Sequence, residues 1–139
     1  MAKLHEVHQS RQRIHVMEKM NGCAIYGADL HLPHMLYAKG VVTGCPYGEI
    51  RAIHTEEALN IPGVRGVYTA EDIPGHNGFG AFCKDEPILA ERYVKFAGDV
   101  VAVVVADSPV LAEQGAKAVR VELTPLKPVL TVEEALSGE

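Results

Sequence analysis

Residues 99–121, DVVAVVVADSPVLAEQGAKAVRV, carry the strongest structural pattern in the chain. Residues 99–106 form a valine-rich apolar run of strand length, which predicts a strand buried on both faces. Ser108 offers a capping hydroxyl and Pro109 suits the first position of a helix, so a helix is predicted over about residues 108–119. Small and aliphatic residues then recur at helical spacing, which indicates a helix that packs closely on a sheet.

Weaker patterns on both sides of this segment predict the remaining elements. Strands are predicted where β-branched and aromatic residues cluster or where polar and apolar residues alternate: residues 24–26, 35–42, 49–54, 64–69 and 119–123. Thr55 is placed to cap a short helix near residues 55–61. Thr131 begins a capping-box pattern for another near residues 131–137. Residues 71–84, rich in glycine and proline, form a long loop. This order of elements is that of an α+β fold rather than a repeating βα pattern.

The composition is that of a soluble globular chain. Its 139 residues are 47% hydrophobic and 22% charged, which suits one hydrophobic core. The net charge of −5 argues against binding to nucleic acid or to an anionic membrane by charge. Residues 1–19 form a polar arm that lacks the apolar centre of a secretory signal, and residues 20–139 form the domain proper. We therefore expect a cytoplasmic protein with neither a nucleic-acid nor a membrane partner.

The histidines and cysteines do not predict a metal site. His5 and His8 are three residues apart, as are His31 and His34, but Pro33 prevents a helix through the second pair. No further ligands stand at a suitable spacing. The three cysteines are too far apart for a zinc knuckle or an iron–sulfur cluster, and their odd number argues against a disulfide framework. Solvent-facing histidines and structural thiols are favoured, and no metal-binding residue is assigned.

Cys83 is the strongest candidate nucleophile in the sequence. It stands beside Lys84 in a glycine-rich loop, and a nearby cation can activate a thiol. The local sequence pattern of known cysteine enzymes does not surround it. His76, in the same loop, becomes a candidate base only if the fold brings it close to Cys83. A structural thiol is therefore favoured, and no catalytic residue is assigned.

The sequence GHNGFG, from Gly75 to Gly80, has the glycine content of a phosphate-binding loop. Its spacing is not GxGxxG, and it lacks a Gly-Lys-Ser/Thr ending. A flexible or partner-contacting loop is favoured, and no cofactor-binding residue is assigned. The nearby carboxylates are expected to be solvated surface groups, because none is paired at a spacing that implies acid–base work.

Four segments, in their order along the chain, resemble a known family. The first is GCAIYGAD at residues 22–29, followed by PHMLYA at residues 33–38. The second comprises residues 50–58, PGV at residues 62–64 and VYTAEDIPG at residues 67–75. The third is NGFG at residues 77–80 with DEPILA at residues 85–90. The fourth is GDVVAVVVAD at residues 98–107 with residues 112–122.

Together the segments are similar to the α/β hammerhead domain of the molybdenum hydroxylases, namely the large subunits of xanthine dehydrogenase, aldehyde oxidase and carbon monoxide dehydrogenase. The resemblance covers roughly residues 20–136 and is specific through order and spacing rather than through any one motif. It implies an α/β hammerhead with a mixed sheet and one main helix. The family hydroxylates purines, other N-heterocycles or aldehydes with water as the oxygen source.

The resemblance also implies partners and cofactors. In the family the hammerhead packs against the molybdopterin-binding domains of the large subunit, and electrons leave through iron–sulfur clusters to FAD in further domains or subunits. The molybdopterin contacts and the catalytic glutamate follow the hammerhead in the family's large subunit. The resemblance therefore implies that this chain binds none of these cofactors and is inactive alone.

The leading hypothesis is thus a non-catalytic domain or split subunit of a molybdopterin-dependent hydroxylase, which predicts apolar surface that a partner covers. One alternative is a free-standing scaffold or regulatory module that uses the loop from Gly75 to Gly80 as its contact. A further alternative is a small thiol enzyme that uses Cys83.

Overall fold

The structure, a computed structural model, describes residues 10–137. Contacts between residues divide the chain into two compact units, with the division between Pro33 and His34. The N-terminal unit contains helix α1 (Val16–Met20) and one turn of 3₁₀ helix (Gly27–Asp29). Each unit has its own local hydrogen bonds.

The N-terminal unit contains no strand among its described residues, so the predicted strand at residues 24–26 is wrong. The backbone N–H of Tyr26 instead donates to the carboxylate of Asp29 over 2.9 Å. This bond places Tyr26 at the start of the 3₁₀ turn. In a strand, the backbone N–H of Tyr26 would bond to a neighbouring strand, but here the side chain of Asp29 accepts it. The local capping interaction therefore overrides the strand preference of the sequence.

The C-terminal unit has the remaining elements, and its α+β class confirms the sequence prediction. The elements are β1 (Tyr37–Val42), β2 (Gly48–His54), α2 (Glu56–Leu59), β3 (Val64–Thr69), a 3₁₀ turn (Ala70–Asp72), β4 (Tyr93–Val94), β5 (Val100–Ala106), α3 (Pro109–Ala118), β6 (Arg120–Pro125) and α4 (Val132–Ser137). The two-residue strand β4 has no counterpart in the prediction, because two residues are too few to show an alternating pattern.

The described strands form two three-stranded sheets with the orders β1-β5-β3 and β4-β2-β6. Every pairing in both sheets is antiparallel, so the expected mixed sheet is wrong. A parallel pair needs a crossover that returns the chain to the same sheet. Helix α3 instead carries the chain from β5 in the first sheet to β6 in the second, which removes the parallel pairing that a strand–helix–strand order suggests.

Strand β5 is the centre of the core, as its apolar run predicts. It lies between β1 and β3, and Val101, Ala102, Val104 and Ala106 are fully buried. Burying a valine side chain contributes roughly 1.5–3 kcal/mol. Gly115 of α3 faces this strand so closely that an added β-carbon would lie 2.7 Å from Cγ1 of Val104. The small residues of the helix therefore allow it to pack directly on the sheet.

Two of the three predicted helix caps are confirmed. The hydroxyl of Ser108 accepts from the N–H of Leu111 over 3.2 Å, which starts α3 at Pro109. The hydroxyl of Thr131 accepts from the N–H of Glu134, whose carboxylate accepts the N–H of Thr131 in return. The third prediction is wrong.

The side chain of Thr55 forms no cap bond on α2. Its backbone already has helical torsions, with φ −108° and ψ −10°, rather than the extended torsions of a capping residue. Helix α2 is accordingly shorter than the predicted span of residues 55–61.

An ion pair joins the start of β3 to the residue that follows β5. Arg65 Nε lies 2.7 Å from Asp107 Oδ1, and Arg65 Nη2 lies 2.8 Å from Asp107 Oδ2. The hydrogen bond and charge of the guanidinium hold the pKa of Asp107 below its ordinary value, and the carboxylate in turn raises the pKa of Arg65. The N–H of Asp107 also donates to the carbonyl of Gly63 over 2.9 Å.

Candidate functional site

The glycine-rich loop between β3 and β4 is held closed by the side chain of Asn77. Its amide nitrogen donates to the carbonyl of Leu89 over 2.8 Å. Its amide oxygen accepts from the N–H of Ile88 at 3.0 Å and of Leu89 at 3.1 Å. One side chain therefore satisfies three backbone groups outside the two sheets. Because Leu89 is buried, these bonds fasten the loop to the edge of the core.

The two arms of this loop are joined a second time nearer its tip. The N–H of Phe79 donates to the carbonyl of Glu86 over 2.8 Å, in an isolated antiparallel bridge. A ring nitrogen of His76 lies 3.2 Å from the carbonyl oxygen of Lys84 and donates to it. The predicted long irregular loop is thus confirmed, and it has the form of a hairpin.

The tip of the hairpin presents an aromatic ring to solvent. Gly80 turns the chain at φ 152°, and a β-carbon at this position would overlap the carbonyl oxygen of Cys83, so glycine is required here. The side chain of Phe82 beyond it is 101% exposed. A ring left exposed does not contribute the roughly 1.5–3 kcal/mol of stabilisation that its burial would give. A ring placed on a hydrogen-bonded loop in this way is typical of a contact residue.

Further apolar side chains extend this exposed region. We call the loop surface the set formed by Phe79, Phe82, Ile88 and Phe96, each of which is more than half exposed. A groove of about 510 Å³ is lined by Phe79, Ile88 and Phe96 among others. A second groove, of about 510 Å³, shares Phe96 and continues towards Val129. Phe96 therefore lies where the two grooves meet.

The position of Phe96 is set by a carboxylate. Asp99 accepts the backbone N–H groups of Lys95 and Phe96, which makes a tight turn before β5. These two hydrogen bonds give the carboxylate of Asp99 a structural role. Asp85 and Glu86 border the first groove and Lys127 the second, whereas Lys95 lines both.

The structure does not assemble a thiol active site at Cys83. The thiol is exposed and has no hydrogen-bond partner among residues 10–137. His76, the candidate base, is hydrogen-bonded to the carbonyl of Lys84 instead. A cysteine nucleophile needs a base within hydrogen-bond reach that a third group orients, and the geometry around Cys83 does not offer this arrangement.

The inside of the hairpin is partly closed to a phosphate. Phosphate loops present free backbone N–H groups to the ligand. Here the N–H of Phe79 is paired with Glu86, and a β-carbon at Gly78 would lie 2.8 Å from the carbonyl oxygen of Lys84, so the strands of the hairpin fill the space inside it. The carboxylates of Asp85 and Glu86 add negative charge beside the tip.

Metal-ligating side chains are not clustered in the described part of the chain. Within residues 10–137, no group of three histidine, cysteine, aspartate or glutamate side chains is close enough to hold a metal ion. His31 and His34 fall in different units, and His5 and His8 lie outside the described residues. Among the described residues, no helix has both the length and the apolar character needed to cross a bilayer.

The perturbed carboxyl groups are surface ion pairs outside the loop surface. His54 and Arg120 hydrogen-bond to Glu122 and lower the pKa of that carboxyl. The hydrogen bond and charge of Lys117 lower the pKa of Glu113. Neither carboxylate borders the two grooves beside Phe96, and surface pairs of this kind contribute little stability.

Residues 21–127 match the family model described as "Aldehyde oxidase and xanthine dehydrogenase, a/b hammerhead domain". The chain belongs to this family. The sequence-based assignment to the molybdenum hydroxylase hammerhead, and the hammerhead fold itself, are thereby confirmed. The matched residues include both arms of the hairpin and all six strands of the C-terminal unit.

Known proteins that contain a similar hammerhead are much longer than this chain. The nicotinate dehydrogenase large molybdopterin subunit of Eubacterium barkeri is 35% identical over 94% of the chain, which spans 31% of that protein. The xanthine dehydrogenase/oxidase of Gallus gallus is 32% identical over 93% of the chain, which spans 10% of it. The chain thus covers less than a third of either relative.

Comparison with solved structures gives the same result. Quinoline 2-oxidoreductase from Pseudomonas putida 86 is 31% identical and superposes with a TM-score of 0.85 over 94% of the chain, which covers 18% of that chain. The hammerhead is therefore a part of a larger oxidoreductase in this neighbour.

The structure shows exposed aromatic residues that the sequence analysis did not single out. Phe79 lies within the predicted contact loop, but Phe82 and Phe96 lie beyond it. An aromatic residue between small residues in a loop, as in Gly80-Ala81-Phe82-Cys83, is the pattern that points to such a position. The exposure of a side chain in an irregular loop, unlike burial in a strand, leaves no period in the sequence.

Proposed function

We propose that this hammerhead is a non-catalytic assembly domain, or a separate subunit, of a molybdopterin-dependent hydroxylase. The observation that carries the proposal is the family match over residues 21–127 in a chain that spans less than a third of its relatives. Hydroxylation of a purine, another N-heterocycle or an aldehyde then takes place only when molybdopterin-binding domains are joined to it. The proposed location is the cytoplasm.

The side chains of this hammerhead support the proposal that its partners, and not this domain, bind the cofactors. Molybdopterin carries a phosphate, and the glycine-rich hairpin that resembles a phosphate loop is closed by its own hydrogen bonds and bordered by Asp85 and Glu86. Residues 10–137 also offer no metal-ligand cluster. The described residues therefore do not fit molybdopterin or an iron–sulfur cluster, and we assign these groups and FAD to the other domains of the assembly.

The loop surface is the proposed contact with the molybdopterin-binding domains. Its aromatic side chains are exposed on a backbone that Asn77 fixes in place. A pre-formed loop loses little conformational entropy when a partner covers it. Phe82, at the tip, is the proposed anchor residue. Residues 1–19 are proposed to form an arm that lies on a partner.

Co-expression tests this proposal directly. The chain is produced together with a separately encoded molybdopterin-binding polypeptide of the xanthine dehydrogenase family, and the two are expected to elute as one complex. The Phe82→Ser variant is expected to weaken the complex. The matched control is Val110→Ser, which removes an exposed apolar side chain from α3. Separate elution of the unaltered chain and its partner would count against the assembly role.

A free-standing binding module is the second candidate, and the closed hairpin is the observation that favours it. In this case the hairpin contacts a different protein, and Phe79→Ser abolishes that contact while the molybdopterin polypeptide does not bind at all. The two functions are thus distinguished by which protein the unaltered chain retains.

A further inference from the structure

The sequence Asn-Gly occurs at Asn21-Gly22 and again at Asn77-Gly78. In this dipeptide the backbone nitrogen of the glycine can attack the side chain of the asparagine, because glycine has no side chain that hinders the approach. The attack requires Cγ of the asparagine to turn towards that nitrogen. The surroundings of each asparagine in the folded protein therefore decide how readily it reacts.

The side chain of Asn21 is free to turn. Asn21 is exposed at the C-terminal end of α1, and its side chain makes no hydrogen bond within residues 10–137. The N–H of Gly22, whose nitrogen is the nucleophile, donates to the carbonyl of Lys19 over a long 3.3 Å. A β-carbon at Gly22 would meet no atom within 4 Å, so the space around the reacting groups is open.

The backbone that follows Asn21 is bonded to the end of a short helix. The N–H groups of Cys23 and Ala24 donate to the carbonyl of Glu18 over 2.8 Å and 3.1 Å. Helix α1 has five residues, and none of them is buried. The end of such a helix opens locally at little cost in free energy. The backbone at Asn21 can therefore reach the torsions that the attack requires.

The side chain of Asn77 is held in place. Asn77 is partly buried, its amide nitrogen donates to the carbonyl of Leu89, and its oxygen accepts from the N–H groups of Ile88 and Leu89. All three bonds, of 2.8–3.1 Å, must break before Cγ can turn towards the nitrogen of Gly78. Three short bonds at Asn77 thus oppose the reaction more strongly than one long bond at Gly22.

The backbone at Gly78 is also confined. Its N–H makes no hydrogen bond among the described residues, so the nucleophile itself is not blocked. A β-carbon at Gly78 would nevertheless lie 2.8 Å from Nε2 of His76 and 2.8 Å from the carbonyl oxygen of Lys84. The hairpin therefore leaves little room for the backbone to rearrange.

We infer that Asn21 is a site of spontaneous deamidation in the folded protein, whereas Asn77 is protected by its hydrogen bonds. The nitrogen of Gly22 forms a bond to Cγ of Asn21, and the bond from Cγ to Nδ2 breaks. Nδ2 leaves as ammonia and takes the proton that the nitrogen of Gly22 gives up. Water then opens the cyclic imide at either carbonyl, which gives aspartate or isoaspartate.

The products alter the end of α1. Both carry a carboxylate beside helix carbonyl groups that are already partly negative. Isoaspartate also lengthens the backbone by one carbon, which displaces the bonds from Cys23 and Ala24 to Glu18. At Asn77 the same reaction would release the amide group that fastens the hairpin to Leu89, so protection there preserves the loop surface. The inference holds whether or not the hammerhead joins a molybdopterin enzyme.

The two rates are measured in one sample. The full chain is incubated in neutral buffer made with heavy-oxygen water, and its peptides are analysed by mass spectrometry, since each deamidated side chain takes up one heavy oxygen. In the folded protein, Asn21 is expected to react at least about tenfold faster than Asn77. In guanidinium chloride, which removes both sets of bonds, the two rates should become similar.

Two variants test the cause of the difference. Gly22→Ala should slow the reaction at Asn21 by roughly tenfold, because its methyl group hinders the attack. Gly80→Ala should speed the reaction at Asn77 and leave that at Asn21 unchanged, because its β-carbon would overlap the carbonyl oxygen of Cys83 and loosen the hairpin. Gly75→Ala is the matched control, since its β-carbon would meet no atom within 4 Å.

Three results would overturn the inference: no reaction at Asn21, equal rates at Asn21 and Asn77 in the folded protein, or a difference that persists unchanged in guanidinium chloride. The last result would assign the difference to the neighbouring residues in the sequence rather than to the fold. Because the comparison in denaturant uses the unaltered chain, it decides the matter even if Gly80→Ala fails to fold.

Discussion

Asn77 and Leu89 form a reciprocal pair in which a side chain takes the place of a strand. The amide of Asn77 donates to the carbonyl of Leu89 over 2.8 Å and accepts its N–H over 3.1 Å, which is the bonding that a neighbouring backbone would supply in a sheet. The hairpin that carries Phe82 is therefore fixed by one residue at its base.

Asn77→Ala is expected to lower the free energy of unfolding by about 2–3 kcal/mol, because three hydrogen bonds are lost and the backbone groups of Leu89 are left without partners. Asn77→Asp keeps the two accepted bonds but turns a carboxylate oxygen towards the carbonyl of Leu89, so it should cost about 1–3 kcal/mol. Urea unfolding measures both. Asn60→Ala, at an exposed asparagine, is the control, and an equal loss there would contradict the role of Asn77.

Phe82→Ser is expected to separate assembly from stability. The ring is 101% exposed, so its removal should change the free energy of unfolding by less than about 0.5 kcal/mol. Binding to the molybdopterin polypeptide should nevertheless weaken by roughly tenfold or more if Phe82 is the anchor. Urea unfolding and co-elution are measured on the same sample. A destabilised variant, or one that binds as well as the parent, would argue against a contact role.

Gly115→Ala is expected to destabilise the protein by about 1–2 kcal/mol although alanine favours helices. The new methyl group would lie 2.7 Å from Cγ1 of Val104, which is fully buried and stiff. In the double variant with Val104→Ala, the total loss should be smaller than the sum of the two single losses. Gln114→Ala, on the exposed side of α3, is the control. Additive losses would show that Gly115 and Val104 are not in contact.

The stability of the protein should fall in acid through the pair of Arg65 and Asp107. Since the hydrogen bond and charge of Arg65 lower the pKa of Asp107 in the folded state, the pair contributes stability above the ordinary carboxyl pKa. This contribution is lost as the pH falls below about 4, through the lowered pKa. Asp107→Asn and Arg65→Gln should both give a shallower loss of stability in acid. Unfolding in urea at several pH values tests this, and an unchanged slope would contradict it.

Cys83→Ser should leave both stability and assembly unchanged, because the thiol is exposed and has no partner among residues 10–137. Cys83 should also react with a thiol reagent at a rate similar to that of Cys23, which is exposed as well. The rates are compared in variants that retain one of the two cysteines. A Cys83 rate roughly a hundredfold higher would restore the hypothesis of a thiol enzyme.

Local patterns predict this fold well where the interactions are themselves local. The cap between Ser108 and Leu111 needs only residues three apart, and the sequence shows it directly. Strand β5 is evident because both of its faces are buried. The prediction fails at residues 24–26, where one bond from Tyr26 to Asp29 outweighs strand preference. The pairing of strands also cannot be predicted from local sequence patterns, since antiparallel partners such as Tyr37 and Ala106 are far apart in the chain.

The candidate site is less predictable than the fold. The glycines from Gly75 to Gly80 mark a loop, but the bonds that close it run from Asn77 to residues 88 and 89, on the other arm of the loop. The exposure of Phe82 depends on that closure and on the turn at Gly80. Three-dimensional contacts of this kind leave no periodic trace in the sequence.

The strand order β1-β5-β3 has a consequence for synthesis on the ribosome. Both neighbours of β5 precede it in the chain, so β1 and β3 emerge before the strand that joins them exists. At ordinary translation rates, roughly 2–7 s pass between the emergence of residue 69 and that of residue 106. During this interval β1 and β3 lack the strand that joins them, so the growing chain exposes unpaired strand edges of the kind that favour aggregation.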